Sequence, residues 1–155
     1  MSENFIYIFE SNLENNLDLN SDSIKYIGYR EYSPYNSTNN AAFWDINKKE
    51  MFYSSNMSAF YVGEKADICK TVSEEDIAFL MDKLKEKNIH QWENDYLGEK
   101  NMYAISWEIG IVTADDIVYS FKGCGNGPDG LKEVKTAIFA PGMRRAPKCI
   151  KKQAY

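Results

Sequence analysis

The chain has little of what metal sites and disulfide frameworks require. Its 155 residues include one histidine, His90, and three cysteines. A single histidine and the lack of a C-x-x-C pair exclude the common zinc modules, so no metal site is predicted. Cys69, Cys124 and Cys149 are odd in number and widely spaced, whereas small secreted domains use paired cysteines. The sequence therefore predicts reduced thiols in a reducing compartment.

Long apolar runs are absent as well. No segment approaches the roughly 18 to 20 apolar residues that cross a bilayer, so no membrane contact is expected. The opening MSENFIYIF lacks the basic region and cleavage site of a signal peptide, which predicts a cytoplasmic protein. Hydrophobic residues make up 44% and charged residues 26% of the chain, as in ordinary globular proteins. A length of 155 residues suits one domain.

Aromatic and β-branched runs predict strands through the first half of the chain, at 5–9, 24–32, 42–46, 50–55 and 58–63. The turn sequence NKKE predicts that 42–46 and 50–55 form a hairpin.

Two further alternating runs predict a second hairpin. The apolar face of the first run holds Tyr103, Ile105, Trp107, Ile109 and Ile111, and that of the second holds Ile117, Tyr119 and Phe121. Both sets meet on one face only if Ile111 opposes Tyr119 and Ile109 opposes Phe121. That register requires a connection of three residues, with Thr113 facing Ile117.

Two helices are predicted. The first has Ser73 as N-cap, Asp76 three residues later, and an apolar face at Ile77, Leu80, Met81 and Leu84. The second carries Leu131, Val134 and Ile138 and is predicted to end at Pro141 and Gly142. Strands, helix, hairpin and helix in this order predict an α+β fold, an antiparallel sheet with two helices packed on one face.

Charge divides the chain into an acidic domain, residues 1–142, and a basic tail, residues 143–155. The whole chain carries −5, but residues 1–142 alone carry −10, because five bases lie in the tail: Arg144, Arg145, Lys148, Lys151 and Lys152. An acidic body repels nucleic acid, so contact with nucleic acid is expected only through the tail. The tail is predicted to contact the acidic body or a second copy, which leaves a homo-oligomer open.

The segment FKGCGNGPDG holds four glycines between a predicted strand and a predicted helix. Gly125, Gly127 and Gly130 match G-x-G-x-x-G, but no acid follows about 20 residues later and no parallel βαβ unit is predicted. The match therefore does not support a dinucleotide site. Asn126 and Asp129 precede the helix, where free amides favour an anion, although Asp129 is predicted to cap the helix itself.

Cys124 is the one candidate nucleophile, because a helix N-terminus favours a thiolate. His90 is its sole candidate base. The simpler interpretation is a small thiol in a turn and a histidine at a helix C-terminus, so no catalytic residue is predicted.

Four tyrosines recur every three residues, at Tyr26, Tyr29, Tyr32 and Tyr35. On a strand this spacing sends successive side chains to opposite faces, so one core cannot bury them all. Tyrosine is favoured in binding surfaces, and these residues, with Arg30, are the predicted binding surface. Covering a sheet edge is the alternative role.

The segments SEEDIAFLMDKLKEKNIHQW and YAISWEIGIVTADDIVYSFKGCGNGPDGLKEVKTAI resemble the C-terminal part of small uncharacterised proteins of clostridial-type bacteria and their phages. In that pattern a capped helix precedes a Trp-bearing hairpin, a glycine and proline turn, and a short helix. The resemblance implies that residues 123–130 form a turn. It implies no activity.

The sequence thus predicts a non-enzymatic cytoplasmic binding protein without a cofactor. It is expected to be an inhibitor or immunity-type partner of a bacterial or phage macromolecule, and its own partner is expected to be a protein. Two alternatives stay open, a binder or sponge for a small nucleotide-like ligand that uses residues 123–130, and a Cys124 thiol enzyme.

Overall fold

A computed structural model describes residues 8–33, 38–54, 68–97, 105–125 and 127–143. Within these ranges the chain forms β1 (Ile24–Ser33), β2 (Thr38–Asp45), β3 (Glu50–Ser54), β4 (Ile68–Thr71), α1 (Glu74–Glu86), β5 (Asp95–Tyr96), β6 (Ser106–Thr113), β7 (Val118–Cys124) and α2 (Leu131–Met143). The strands make one sheet in the order β4-β3-β2-β1-β6-β7-β5, antiparallel except where β5 meets β7. The predicted α+β fold is confirmed.

Both helices pack on one face of this sheet, here called the inner face. Its strands contribute Ile27, Tyr29, Ala42, Trp44, Met51, Trp107, Ile109, Ile111 and Phe121 to the main core, and the helices contribute Leu80, Leu84, Val134, Ala137 and Ile138. A second, smaller cluster of Ile8, Phe9, Ala41, Phe43 and Val112 lies on the opposite, outer face. The core therefore has two layers, with the sheet between the helices and residues 8–9. Neither described helix is long and apolar enough to cross a membrane.

Helix α1 begins as its sequence predicts. The Ser73 hydroxyl accepts a hydrogen bond from the Asp76 amide, and the Asp76 carboxylate accepts one from the Ser73 amide. This capping box satisfies two backbone donors that the first turn would otherwise leave without partners.

Replacing Ser73 with alanine should lower the free energy of unfolding by about 1 kcal/mol, because the first turn loses its side-chain acceptor. Thermal denaturation should show a midpoint lower by roughly 2 to 4 °C. Ser73→Asp keeps an acceptor and is the matched control. Equal midpoints for Ser73→Ala and Ser73→Asp would contradict a stabilising role for the hydroxyl.

The hairpin of β6 and β7 has the predicted register, with Ile109 opposite Phe121 and Ile111 opposite Tyr119. Residues 114–117 lie between the strands. The Thr113 amide donates to the Ile117 carbonyl at 2.9 Å, so three residues separate this bonded pair. Asp116 closes the turn with a φ of 65°, the left-handed geometry that three-residue hairpin connections require.

The apolar face of this hairpin is shorter than predicted. Ile105 and Ile117 are exposed, and each lies just before its strand begins, at an end of the hairpin. Tyr103, predicted on the same face, lies outside the described residues.

Helix α2 continues past its predicted end, since Pro141 lies inside it and the helix reaches Met143. The Trp44 indole nitrogen donates to the Ile138 carbonyl at 2.9 Å, and the Tyr53 hydroxyl donates to the Gly142 carbonyl at 3.2 Å. Two side chains of the sheet thus donate hydrogen bonds to carbonyls in the last turns of α2, although proline favours the end of a helix.

The first described residues and the sheet edge differ most from expectation. Ile8 and Phe9, predicted as part of a strand at 5–9, form a short 3₁₀ turn over the outer face. Strand β4, four residues long, has too short a pattern to be predicted. The predicted strand at 58–63 lies outside the described residues.

Cys69, on β4, is disulfide-bonded, contrary to the expectation of reduced cysteines. Spacing along the chain does not determine which cysteines a fold brings together, which is why the sequence could not show it. Cys124 is a buried thiol.

Candidate functional site

The tyrosines of β1 lie on alternate faces of the sheet. Tyr29 is buried on the inner face, where its ring meets Phe139 of α2 edge-on at a centroid distance of 5.6 Å. Tyr26 and Tyr32 lie on the outer face, and Tyr32 is 41% exposed. Tyr35 lies outside the described residues. Tyr32 is therefore the described member of the motif that is most available to a partner.

Tyr32 begins a row that crosses three strands at one end of the sheet. It lies opposite Ser106 of β6, which in turn lies opposite Cys124 of β7. The Ser106 hydroxyl contacts the Cys124 sulfur at 3.7 Å.

The glycine-rich loop leaves the sheet at the same end. The Gly125 amide donates to the carbonyl of Ile105, whose side chain is 44% exposed. The tyrosine motif and the glycine-rich loop, about 90 residues apart in the chain, therefore lie at the same end of the sheet, with β6 between them. We call Tyr32, Ser106, Cys124 and Gly125 the sheet-end surface.

The glycines of the loop serve its own packing. A Cβ at Gly127 would lie 2.4 Å from the Leu131 side chain, and one at Gly130 would lie 2.6 Å from Lys87. Gly125 and Gly130 also have φ values of 77° and 98°, which favour glycine. The described part of the loop is a packed turn between β7 and α2.

The N-terminus of α2 differs from prediction by one residue. The Val134 amide donates to the Gly130 carbonyl at 2.9 Å, so Gly130 occupies the N-cap position that was predicted for Asp129. The Leu131 amide closes a tighter turn onto the Pro128 carbonyl, and this turn moves the cap forward. Asp129 is exposed, and Asn126 lies outside the described residues.

His90 and Cys124 have different surroundings. His90 lines a cleft of about 290 Å³ together with Leu17, Asp18, Leu19, Asn20 and Lys85. Hydrogen bonds from the Asn20 amide and the Ser21 hydroxyl lower the pKa of Asp18, and the charge of His90 lowers it further. Cys124 instead packs beside Ser106 at the sheet end. No group of three or more potential metal ligands occurs in the described ranges.

Two ion pairs flank the sheet end, one on each face. On the outer face, Arg30 makes a two-pronged contact with Glu108, with nitrogen to oxygen distances of 3.1 and 3.2 Å. On the inner face, Lys135 of α2 pairs with Glu31, whose side chain is only 4% exposed. The buried Glu31 has no counterpart among the sequence-based candidates. An acidic residue at an inward position of β1, in step with Ile27 and Tyr29, is the signal that could have identified it.

Burial raises the pKa of Tyr29 well above its usual value, and the charge of Glu31 and a hydrogen bond with that carboxylate raise it further. A raised folded-state pKa contributes stability that is complete below the unfolded pKa of about 10 and is lost as pH rises above it. Stability should therefore fall above pH 10, and Tyr29→Phe should make that fall less steep. Urea unfolding at pH 9, 10 and 11 measures both slopes, and parallel slopes would contradict this assignment.

The chain matches no protein-family model, no curated protein sequence and no solved structure.

Proposed function

We propose that this chain is a non-enzymatic binding protein that holds a protein partner at the sheet-end surface. The partner is a bacterial or phage macromolecule, and the chain acts on it as an inhibitor or immunity-type protein. The observation that carries this proposal is the exposed Tyr32 side chain, which lies on a central strand at the end of the sheet from which the glycine-rich loop leaves.

The position of Tyr32 favours binding for an energetic reason. β1 is hydrogen-bonded on both sides, to β2 and β6, so the backbone that carries Tyr32 is already ordered. A tyrosine on a rigid strand offers a large contact area at low entropic cost, which is why tyrosine is frequent among residues that dominate interfaces.

Charge favours a basic partner. The chain carries −5, and several of its bases already pair with acids of the same chain, as in the ion pairs of Lys25 with Asp116 and Lys49 with Glu74. A net negative surface accelerates encounter with a positively charged protein and disfavours nucleic acid. The cytoplasmic location stays a prediction from the sequence. The disulfide of Cys69 argues against it, since disulfides are typical of oxidising compartments.

Native mass spectrometry of the chain purified from its own cells tests the proposal. A retained protein partner is expected for the wild type and for Leu13→Ser, a control that changes an exposed apolar residue elsewhere. Tyr32→Ala should reduce the retained fraction at least tenfold, as loss of an interface hot spot does.

Three outcomes would count against this function. If the wild type and Tyr32→Ala retain the partner equally, the partner does not bind at the sheet-end surface. A retained nucleotide in place of a protein would favour the small-ligand alternative. Loss of the partner in Cys124→Ala but not in Tyr32→Ala, with both variants folded, would favour a function of the thiol over binding around Tyr32.

A further inference from the structure

Residues 8–11, here called the arm, cross a groove on the outer face of the sheet. Gly28 of β1 lies opposite Gly110 of β6, so two adjacent strands present no side chain at this point. A Cβ at Gly110 would lie 2.3 Å from the Ile8 carbonyl oxygen. The groove is therefore deep enough for another backbone to rest directly on the sheet, and Ile8 within it is fully buried.

The groove makes further specific contacts with the arm. The Phe9 ring stacks on the Arg30 guanidinium at 4.4 Å, and Glu108 holds that guanidinium in place. The Ser120 hydroxyl donates to the Ser11 carbonyl at 2.8 Å. The side chains of Ile8 and Phe9 and the carbonyl of Ser11 each contact a matching group of the sheet, so the groove is a specific site for this short segment.

The arm is joined to the rest of the chain by a short exposed hinge, residues 12–14. Beyond the hinge, the Asn15 side-chain amide donates to the carbonyls of Ile89 and Trp92 at 2.9 Å each, and Leu17 is buried in the main core. The chain is therefore fixed from Asn15 onward, and the arm can leave the groove by changes at three residues.

We propose that this groove also accepts the arm of a second copy of the chain when the chain's own arm cannot reach it, so that two copies exchange arms across their outer faces. The arm is the segment whose fit the structure shows, and every copy carries both the arm and the groove. Exchange keeps each arm contact and changes only the hinge, which makes it a low-cost route to a dimer. This inference does not depend on the proposed function.

Hinge length decides which arm fills the groove. A three-residue tether gives the chain's own arm an effective concentration of about millimolar or more, so the wild type fills its groove from within at micromolar concentration. A tether too short to span the distance reduces that effective concentration toward zero. One residue bridges at most about 3.6 Å, so deleting Asn12 and Leu13 shortens the reach of the hinge by roughly 7 Å.

Light scattering after size-exclusion chromatography of the full chain tests the exchange. The chain is measured at about 20 µM, well below the effective concentration of its own arm. The wild type is expected to be a monomer, and the variant lacking Asn12 and Leu13 is expected to be a dimer with twice the mass. The matched control Asn12→Gly/Leu13→Ser changes the same residues without changing the length and should stay monomeric.

Variants of the groove and the arm give the decisive comparison. Adding Gly110→Val to the shortened chain should return it to a monomer, because the new side chain would occupy the place of the Ile8 carbonyl. Phe9→Ala weakens the arm without changing the sheet, and it should likewise reduce the dimer if Gly110→Val fails to fold. A shortened chain that stays monomeric, or a dimer that persists with Phe9→Ala, would overturn the proposal.

Discussion

Replacing Trp44 with alanine should lower the free energy of unfolding by about 3 to 5 kcal/mol, the cost of emptying a large buried site. Trp44 is fully buried on the inner face, where it lies opposite Ile27 of β1 and Met51 of β3. The substitution also removes the indole donor from the Ile138 carbonyl, so the last turns of α2 lose an anchor to the sheet. Urea denaturation followed by circular dichroism measures the change.

Trp44→Phe separates the two contributions. It keeps most of the buried ring and removes the donor, so it should cost only part of the loss, including about 1 to 3 kcal/mol for the carbonyl left without its partner. A loss below about 1 kcal/mol for Trp44→Ala would contradict the assignment of Trp44 to the centre of the core.

The features that the sequence predicts well are local or periodic. The capping box of α1 depends on Ser73 and Asp76, which are neighbours on one helical turn. The register of β6 and β7 follows from the two-residue period of a strand, since a slip by one residue would bring Phe121 out of the core. Both features could be predicted because the residues that determine them are close in the chain.

The end of α2 could not be predicted in this way. Proline at position 141 favours a helix end by its local chemistry, and the groups that offset it come from strands about 90 residues earlier. Trp44 and Tyr53 reach the carbonyls of α2 only after the sheet and the helix have packed together. Hydrogen bonds from the sheet therefore outweigh the local preference of proline for the end of a helix.

The candidate site likewise combines features that are local in the sequence with an arrangement that is not. Tyr32 and the glycine-rich loop each carry a pattern that can be seen in the sequence, but their meeting depends on β6 lying between β1 and β7. That strand order is a property of the whole sheet. Ile8 and Phe9 of the arm were predicted as part of a strand at 5–9 because their side chains are typical of strands, whereas their position over Gly110 depends on the opposite half of the chain.

Glu31, beside the sheet-end surface, is a buried residue with a clear energetic consequence. Its carboxylate lies between the sheet and α2, paired with the Lys135 ammonium and hydrogen-bonded to the Tyr29 side chain. A buried carboxylate loses most of its hydration, which only a nearby cation and hydrogen bonds can replace. The ion pair of Glu31 and Lys135 therefore holds α2 against β1 only while both charges are present.

Lys135→Met should therefore lower the free energy of unfolding by about 2 kcal/mol, because it leaves the Glu31 charge buried without its cation. Breaking a fully buried pair costs roughly 3 to 5 kcal/mol, and the smaller value is expected because Lys135 is 38% exposed and partly screened by water. Lys132→Met, which changes an exposed lysine of the same helix, should cost less than about 0.5 kcal/mol.

The double variant Glu31→Gln/Lys135→Met decides whether the loss comes from the charge. Removing both charges takes away the attraction and the desolvation cost together, so stability should recover by about half or more relative to Lys135→Met alone. Urea unfolding of the wild type, the two single variants and the double variant at pH 7 gives the coupling energy directly. If the double variant is as unstable as the sum of the single variants, Lys135 stabilises the protein through its aliphatic packing alone, and the ion pair does not anchor α2 to the sheet.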